Sequence, residues 1–461
     1  MFDVPRKDMH IKLRELSREY GSDVISLRLT GTRIIALNSM TAILDLLEKR
    51  SSIYSDRPRL LMLTDLIGFG WSLPIIPYGK DWRLSRKMFM HLFQPNAVRQ
   101  WRFIEKEEAN ELLRRLLHDP DSFCTHLRRM AGAIILRVAY GIKPQERNDP
   151  FIQIAERAAR VVTIAGEAGG YLVEALPVLK YLPEWMPGTQ FKQDAKLFGQ
   201  WANDLLHVPY NHIKDRLLPR CAVTELLEHF VYDSSDKAYT EYIARGTIAT
   251  IYLGRYTEIV SVLETFVMAM ALHPEVQEKA WRELECAIGA HQLPDFADQH
   301  VLPYITAIMK ETIRWKPTIP LVLPRLLNVD DVYNGMHIPK GSLILANSWA
   351  VLYDESTYPN PSSFDPDRFI KDNQLDPTVP DPSLVAAFSF GRRICPGLDL
   401  AEEELWLTMA SILATFKIEN GTDPAGQTLR PDTAFESGFI VHPRPFKCSI
   451  IPRSSQHKAL I

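Results

Sequence analysis

Residues 388–397 place a cysteine where its sulfur has the chemistry of a metal ligand. Cys395 is followed by Pro396, a residue tolerated at the first position of a helix, and a helical pattern continues from 398 to 416. The dipole and the free N–H groups at a helix start favour the thiolate of a nearby cysteine. Soft thiolates bind iron well, so this segment is a candidate metal-ligating site.

The residues around Cys395 add what a flat, acidic cofactor needs. Gly391 and Gly397 permit tight turns and let the backbone approach a planar ring closely. Arg392 and Arg393 present cationic forks that match carboxylates. Together with the thiolate, these features suit a haem that is held through sulfur. An isolated intracellular cysteine, by contrast, is usually a small buried hydrophobe.

The spacing of the residues in this segment favours a haem-ligating cysteine over an isolated, buried one. It fits Phe-x-x-Gly-x-Arg-x-Cys-x-Gly, with the fixed positions filled by Phe388, Gly391, Arg393, Cys395 and Gly397. This pattern resembles the haem-binding signature of the cytochrome P450 family. The resemblance implies that Cys395 is the axial iron ligand of haem b and that the other four residues surround the cofactor.

Composition narrows the class of protein. The chain has 461 residues, 46% hydrophobic and 24% charged, enough for a large core. A net charge of -3 gives no reason to expect nucleic-acid binding. Five cysteines, an odd number without a Cys-x-x-Cys pair, indicate neither a disulfide framework nor a zinc site, which fits a reducing compartment.

No targeting or spanning segment is visible in the sequence. The N-terminus lacks the apolar stretch of a signal peptide, and no run of about 18 uncharged apolar residues occurs. Microsomal P450s carry an N-terminal membrane anchor, which we expect to be absent here. The resemblance nevertheless implies an intracellular protein at the surface of the endoplasmic reticulum.

The patterns predict a mainly α-helical chain with small β-sheets near both ends, as one domain over residues 1–461. Hairpins are predicted at 24–37 and at 332–338, the second around the turn Asn334-Gly335, with helical periodicity from about 81 to 287. Residues 56–78 are rich in proline and glycine and predict a long ordered loop. The resemblance implies the P450 fold for this whole domain.

Glu311 and Arg314 lie three positions apart in a helical stretch and therefore share one face. Alone, such a pair is usually a surface ion pair of little energetic value. In P450-like chains a Glu-x-x-Arg helix pairs with an arginine of a downstream Pro-x-x-Phe-x-Pro-x-Arg-Phe segment, which here supplies Arg368. The resemblance implies that the three residues form a structural network that fixes the loop of Cys395.

Three further residues are implied as ligands of the haem propionates. Trp82 and Arg86 are four positions apart on one helical face, where an aromatic on a basic helix is the ordinary alternative. Arg325 follows the apolar stretch 320–324. P450-like chains carry propionate ligands in both places.

The chain departs from the family pattern where a long helix should cross the haem. P450 monooxygenases have Ala/Gly-Gly-x-Asp/Glu-Thr-Thr/Ser there, whereas residues 254–259 read Gly-Arg-Tyr-Thr-Glu-Ile. Arg255 would crowd the dioxygen groove. Thr257 takes the acid position and Glu258 the alcohol position of the proton relay. Glu258 still delivers protons if its carboxyl faces the haem, and burial would raise its pKa to a useful value.

Three functions remain open on the sequence alone. The first is a monooxygenase, similar to fungal P450s of secondary metabolism, that inserts one oxygen atom from dioxygen into an apolar small molecule. The second is a haem-thiolate isomerase, dehydratase or peroxygenase that needs no dioxygen activation. The third is a degenerate member that binds haem or a ligand without turnover.

The first function implies two partners and a pocket. A reductase is expected to deliver electrons from NADPH, and an apolar substrate is expected to occupy a cavity beside the haem. We expect the protein to be a monomer. Apolar walls are usual for such cavities. Its expected lining is the 56–78 loop, Tyr252, Tyr256, and residues 319–323 and 437–439.

Overall fold

The computed structural model describes residues 8–29, 32–146, 148–166, 170–214, 220–423, 425–436 and 438–461, without the side chains of Leu29, Arg255 and Tyr256. Most of the chain is helical, as predicted. The α-helices are α1 Met9–Tyr20, α2 Met40–Ile43, α3 Lys80–Phe93, α4 Pro95–Val98, α5 Arg102–His118, α6 Phe123–Tyr140, α7 Pro150–Ala165, α8 Leu172–Ala175, α9 Gln190–Lys214, α10 Ala222–Leu226, α11 Lys237–Leu272, α12 Pro274–Ala287, α13 Pro303–Trp315, α14 Ser348–Leu352, α15 Leu398–Thr415 and α16 Ser455–Ala459.

Short strands form small sheets at the two ends of the helical body. The largest has the order β1-β2-β6-β3, and β9 lies between β10 and β11 in a second. Two hairpins, β4-β5 and β7-β8, complete the set. The strands are β1 Val24–Leu29, β2 Thr32–Leu37, β3 Arg325–Leu326, β4 Asp331–Tyr333, β5 Met336–Ile338, β6 Leu343–Ala346, β7 Ile370–Lys371, β8 Gln374–Leu375, β9 Phe416–Thr422, β10 Thr428–Leu429 and β11 Cys448–Pro452.

Both predicted hairpins are confirmed. β1 pairs antiparallel with β2, and β4 pairs antiparallel with β5. Asn334 and Gly335 have φ of 48° and 76°, so both central residues of the second turn are left-handed, as a type I′ turn requires. The side chain of Ser39 accepts a hydrogen bond from the Ala42 N–H and caps the start of α2.

Helix α11 is the central element of the body. It contacts α6, α3, α7 and α15, and its residues from Ile259 to Ala271 are almost all buried. A helix that is apolar on most of its circumference is stable only inside a core. The other helices therefore take their positions relative to α11.

The predicted loop at 56–78 is partly wrong, because Met62–Ile67 forms a π-helical turn. The carboxylate of Glu174 accepts hydrogen bonds from the N–H groups of Leu61 and Met62, at 2.9 and 2.7 Å. These are free donors at the start of the turn, and an acidic group stabilises them. The partner lies more than a hundred positions away, so the local sequence does not reveal the turn.

Within the described ranges, no single helix is both long and apolar enough to cross a bilayer. Only α11 and α12 taken together reach that length and apolar composition, and the chain bends by 103° between them.

Candidate functional site

The cysteine loop is held by short hydrogen bonds within itself. The Cys395 N–H donates to the Phe388 carbonyl at 2.8 Å, and the Ile394 N–H donates to the Gly391 carbonyl at 3.0 Å. Gly391 has φ of 51°, and a Cβ atom there would overlap the Leu47 carbonyl. Glycine is therefore required at this position for both conformation and space. The loop presents Cys395 as a half-buried side chain.

The helix after the cysteine begins where the predicted helical pattern begins. Gly397 is the N-cap, with φ of -97° and ψ of 10°, and α15 runs from Leu398 to Thr415. Pro396, a residue tolerated at a first helical position, lies just before the N-cap. A Cβ atom at Gly397 would lie 3.9 Å from the Cys395 Sγ and 3.9 Å from the Phe89 ring. Because residue 397 is a glycine, a narrow space without a side chain of its own remains between the Cys395 sulfur and the Phe89 ring.

Helix α3 connects the cysteine loop with α11. The Arg86 Nη1 donates to the Ile394 carbonyl at 2.5 Å, next to Cys395. One position earlier, the Ser85 hydroxyl lies 2.7 Å from the Thr247 hydroxyl of α11. The loop, α3 and α11 therefore border one space, and Arg86 lies at its cysteine side.

Arg393 is buried among backbone carbonyls. Its guanidinium donates to the carbonyls of Ser55, Leu73 and Ile76 at 2.8, 3.3 and 2.8 Å, and it lies 4.8 Å from the centre of the Trp82 ring. Burial lowers the pKa of Arg393 to about 10. These contacts place Arg393 and Trp82 side by side, as the resemblance implies for residues at one edge of a haem.

Arg325 is fully buried, and only part of its guanidinium group is hydrogen-bonded by the described residues. Its Nη2 donates to the Phe390 carbonyl at 2.6 Å, whereas Nε and Nη1 have no hydrogen-bond partner among the described residues. Burial, and then the neighbouring charge of Arg393, lower its pKa to about 9. A buried cation with two free donors marks a place where an acidic group is needed.

A fourth arginine of this region is Arg57, and the sequence does not indicate that it belongs to the site. Its guanidinium donates to the carbonyls of Pro74, Leu323 and Pro324 at 2.7, 2.7 and 2.8 Å. Burial, with the charges of Arg393 and Arg325, holds its pKa well below the usual range. Arg57 thereby fixes the segment that leads into Arg325. Its sequence context, a proline-rich loop, gives no periodic or motif signal.

The residues present fit a haem. None of the arginines at 57, 86, 325 and 393 forms an ion pair with a carboxylate of the described residues, although burial lowers the pKa of each. Buried charges are ordinarily paired, because desolvation is costly. A haem carries two carboxylates on one edge, and the cluster lies beside the cysteine loop. The donor set therefore matches both the iron and the acid groups.

One stripe of α11 faces the space beside α3. Leu253, Gly254, Thr257 and Glu258 are half-buried, whereas the residues before and after them are buried. Positions 253, 254, 257 and 258 fall on one side of a helix. Among the described residues, no atom beyond its own turn comes within 4 Å of a Cβ placed on Gly254. The stripe therefore borders open space.

Glu258 has an unusual carboxyl group. It lies one turn after Gly254 on the same stripe, and burial raises its pKa to about 7. Among the described residues, burial is the one cause of that shift. The predicted crowding by Arg255 falls on a side chain outside the described part of the chain.

The lining of the pocket differs in part from the expected one. Tyr252 is fully buried in the core, where its hydroxyl donates to the Phe151 carbonyl at 2.7 Å and its ring packs on Tyr140. Its assignment to the pocket is wrong, because it projects from α11 toward α6 and α7. Thr318, just before residues 319–323, is joined to α11 through Val441. The Thr318 carbonyl accepts a hydrogen bond from the Val441 N–H, and the Val441 carbonyl accepts one from the Ser261 hydroxyl at 2.5 Å. Tyr256 and residue 437 lie outside the described side chains.

Glu311, Arg314 and Arg368 are brought together as one buried network. Arg314 donates to both Glu311 oxygens at 2.7 and 2.8 Å, and Arg368 donates to Oε2 at 3.1 Å. The Asp365 N–H adds a bond to Oε1 at 2.8 Å. Arg314 also binds the Pro361 carbonyl at 2.8 Å. Two cations and one carboxylate thus hold the segment between α14 and β7.

That segment reaches the cysteine loop through further contacts. The Tyr358 hydroxyl donates to the Pro380 carbonyl at 2.8 Å, and Lys310 of α13 forms an ion pair with Asp381. The Ser348 hydroxyl donates to the Ala386 carbonyl at 2.9 Å, two residues before the loop begins. The network therefore acts on Cys395 from a distance, through residues 380–387.

Comparison with known proteins points to one family. The family model described as "Cytochrome P450" matches residues 1–450. "Cytochrome P450 monooxygenase 98" of Postia placenta is 39% identical, over 100% of this chain and 89% of that protein. "Tryptamine 4-monooxygenase" of Psilocybe cyanescens is 38% identical, over 99% of this chain and 90% of that protein.

Solved structures agree in fold. A zebrafish cytochrome P450 with progesterone has a TM-score of 0.80 at 21% identity and covers 96% of this chain and 99% of its own. A zebrafish cytochrome P450 with abiraterone has a TM-score of 0.78 at 20% identity, with coverages of 96% and 100%. These likenesses confirm the predicted mainly α-helical fold with small sheets.

We predict that Glu311→Gln strongly destabilises the protein. The substitution keeps the shape of the side chain but leaves two buried arginines without an anion, which costs about 3–5 kcal/mol. The free energy of unfolding, measured by urea titration, should fall by that amount, and haem content should fall with it.

The matched control is Glu355→Gln, which removes an exposed ion pair with Arg18 at 3.4 Å. Exposed pairs contribute less than about 1 kcal/mol. Equal losses of stability in both variants would contradict the structural role of the Glu311 network.

Proposed function

This chain belongs to the cytochrome P450 family and is a haem-dependent monooxygenase; from that membership we propose that Cys395 binds the haem iron and that the substrate is an apolar small molecule of secondary metabolism. The observation that carries the proposal is the group of buried arginines beside the Cys395 loop that form no ion pair with a carboxylate of the described residues. Haem in this family is held by a cysteine thiolate, and its binding supplies the activation of dioxygen.

The other cysteines are poor candidates for the iron ligand. Burial raises the pKa of the Cys124 and Cys448 thiols to about 12 and also raises the pKa of Cys221. Cys286 is exposed on α12, on the protein surface. Thiolates, not thiols, bind metals. Cys395 is thus the cysteine that both borders the space between the cysteine loop, α3 and α11 and has cations nearby.

We assign the haem carboxylates to Arg86, Arg325 and Arg393, with Trp82 between them. Arg325 offers two free donors, and Arg393 contributes charge while its own donors hold the loop carbonyls. Phe388, Gly391 and Gly397 shape the loop so that a ring fits against Cys395. The chain's contribution is to orient the cofactor and keep water away from it.

The substrate side of the site is apolar with one titratable group. Ile319 and Leu323 are half-buried on the segment that follows Thr318. On α11, no described atom beyond its own turn comes within 4 Å of a Cβ placed on Gly254. Apolar walls with few polar groups are typical of small-molecule sites. The family also includes a relative named for tryptamine, so an indole is a reasonable first test compound.

We propose that Glu258 supplies protons to the oxygen side of the haem. A carboxyl with a pKa of about 7 is half protonated near neutral pH, which suits a group that gives and regains protons. Glu258 shares its stripe with Gly254, where the open space begins. Thr257 lies beside it and has a hydroxyl, so it is the alternative donor.

We also propose that the protein works as a monomer at the surface of the endoplasmic reticulum, where a reductase passes it electrons from NADPH. The support is an exposed apolar segment, residues 172–186. Leu172, Val178, Tyr181 and Trp185 are 73%, 67%, 76% and 78% exposed. Apolar residues with Trp and Tyr at such density are typical of membrane-contacting surfaces.

Replacing Glu258 should uncouple turnover. In a reaction with NADPH, reductase and tryptamine, or another compound that shifts the haem spectrum, we expect Glu258→Gln to raise hydrogen peroxide formed per NADPH severalfold. General acid groups contribute about 10²–10⁴-fold to rate, so loss of the donor lets peroxide escape. In the native protein the peroxide fraction should rise as pH increases through about 7, because the carboxyl loses its proton.

The control is Thr257→Val, for which coupling should stay near the native value. Under ¹⁸O₂ the native product should contain one labelled oxygen atom. A flat native pH profile, or uncoupling by Thr257→Val alone, would contradict the role of Glu258. Unlabelled product would contradict oxygen insertion.

The apolar segment predicts membrane binding. The double variant Tyr181→Ser/Trp185→Ser should bind phosphatidylcholine vesicles at least about tenfold more weakly than the native chain, because two large apolar side chains leave the interface. The control, Tyr20→Ser/Tyr232→Ser, removes two tyrosines that are 68% and 56% exposed elsewhere and should bind as the native chain does. Equal vesicle sedimentation of the native chain and both variants would exclude this surface.

A further inference from the structure

Two histidines and a glutamate converge at the end of α3, away from the cysteine loop. The Nε2 atoms of His91 and His229 lie 3.8 and 3.5 Å from Oε2 of Glu225. The three ligand atoms lie within 4.8 Å of one another. The two imidazole rings meet edge to face, with centroids 4.7 Å apart. No role in the haem site involves these residues.

Secondary structure fixes the three side chains relative to one another. His91 is in the last turn of α3. Glu225 is in α10, and His229 follows four positions later in the π-helical turn Leu227–Val231 that continues α10. Residues four positions apart lie on one helical face. The site therefore has two ligands from one rigid element and a third from a neighbouring helix.

The spacing is close to what a four-coordinate metal requires. Zinc binds histidine nitrogen and carboxylate oxygen at about 2.0–2.2 Å, so tetrahedral neighbours lie roughly 3.3–3.5 Å apart. The His229 contact already has this spacing, and the His91 contact exceeds it by a few tenths of an ångström. Neither contact is a hydrogen bond, for which about 2.7–3.2 Å would be expected.

The exposure of the group suits an ion with one water ligand. The Glu225 side chain is 7% exposed, while His91 and His229 are 34% and 53% exposed. A metal held here would be open on one side. Three protein ligands with an open fourth position are typical of zinc sites that keep a water molecule.

Arg220 competes with a cation for the carboxylate. Its guanidinium pairs with Oε1 of Glu225, leaving Oε2 to the histidines. The Arg220 side chain is 70% exposed, so it can turn away into solvent at little cost. Its positive charge near the site should nevertheless weaken cation binding.

We propose that His91, Glu225 and His229 form a binding site for a zinc-class transition metal that joins the end of α3 to α10. Imidazole and carboxylate ligands favour Zn²⁺, Co²⁺, Ni²⁺ and Cu²⁺ over Mg²⁺ and Ca²⁺, which prefer oxygen. α3 also has Trp82 in its first turn and Arg86 at its middle. The metal therefore braces a helix that borders the haem space, without touching that space.

Cobalt titration tests this site directly. The haem-loaded full chain, without an affinity tag and freed of metal by a chelator, should bind one Co²⁺ with the visible absorption of low-coordinate cobalt, and Zn²⁺ should displace it. His229→Gln should weaken binding at least about tenfold, since even outer partners of a metal site are worth 10–100-fold. Arg220→Ala should strengthen binding, because it removes the competing cation.

His337→Gln serves as the matched control, because His337 is 62% exposed and lies 3.9 Å from one carboxylate, that of Asp330. It should bind Co²⁺ as the native chain does. Absence of one-to-one binding by the native chain, or equal binding by His229→Gln, would overturn the proposal. The haem spectrum of each variant, expected to be unchanged, verifies that the fold is intact.

Discussion

The burial of arginine side chains beside the Cys395 loop, without an ion pair to any carboxylate of the described residues, is the constraint on which the site depends. Desolvation lowers the pKa of Arg57, Arg325 and Arg393. The charge of Arg393 further lowers the pKa of both Arg57 and Arg325. Backbone carbonyls solvate them in part, and those carbonyls come from three separate segments of the chain. Folding therefore gathers cationic charge that only an acidic group can neutralise well. The carboxylates of a haem meet that requirement.

The same constraint connects the remaining elements. The carbonyls of Leu73 and Ile76 fix the 56–78 loop to Arg393, and those of Leu323 and Pro324 fix the approach to β3 to Arg57. α3 joins the cysteine loop to α11 through Arg86 and Ser85. On the far side, the α11 stripe brings a carboxyl of raised pKa to the same space. In the site we propose, cofactor orientation and proton supply arise from neighbouring elements with different tasks.

Local signals predicted much of this arrangement, and long-range contacts explain what they missed. The Cys395 segment and the Asn334-Gly335 turn are encoded within a few residues, so sequence alone identified them. The cap of the Met62–Ile67 turn comes from Glu174, and the position of Arg57 depends on carbonyls beyond residue 320. His91 and Glu225 are likewise distant in sequence. Tyr252 was misplaced because a helical pattern does not tell which face meets the core.

The carbon monoxide difference spectrum of the reduced protein tests the central claim, that Cys395 and the buried arginines hold a haem through sulfur. The native chain should show the strongly red-shifted Soret band of a thiolate-bound haem, and Cys286→Ser, which alters an exposed cysteine, should show the same band. Cys395→Ser should lose it. A native chain without the band, or a Cys395→Ser protein that keeps it, would contradict this account.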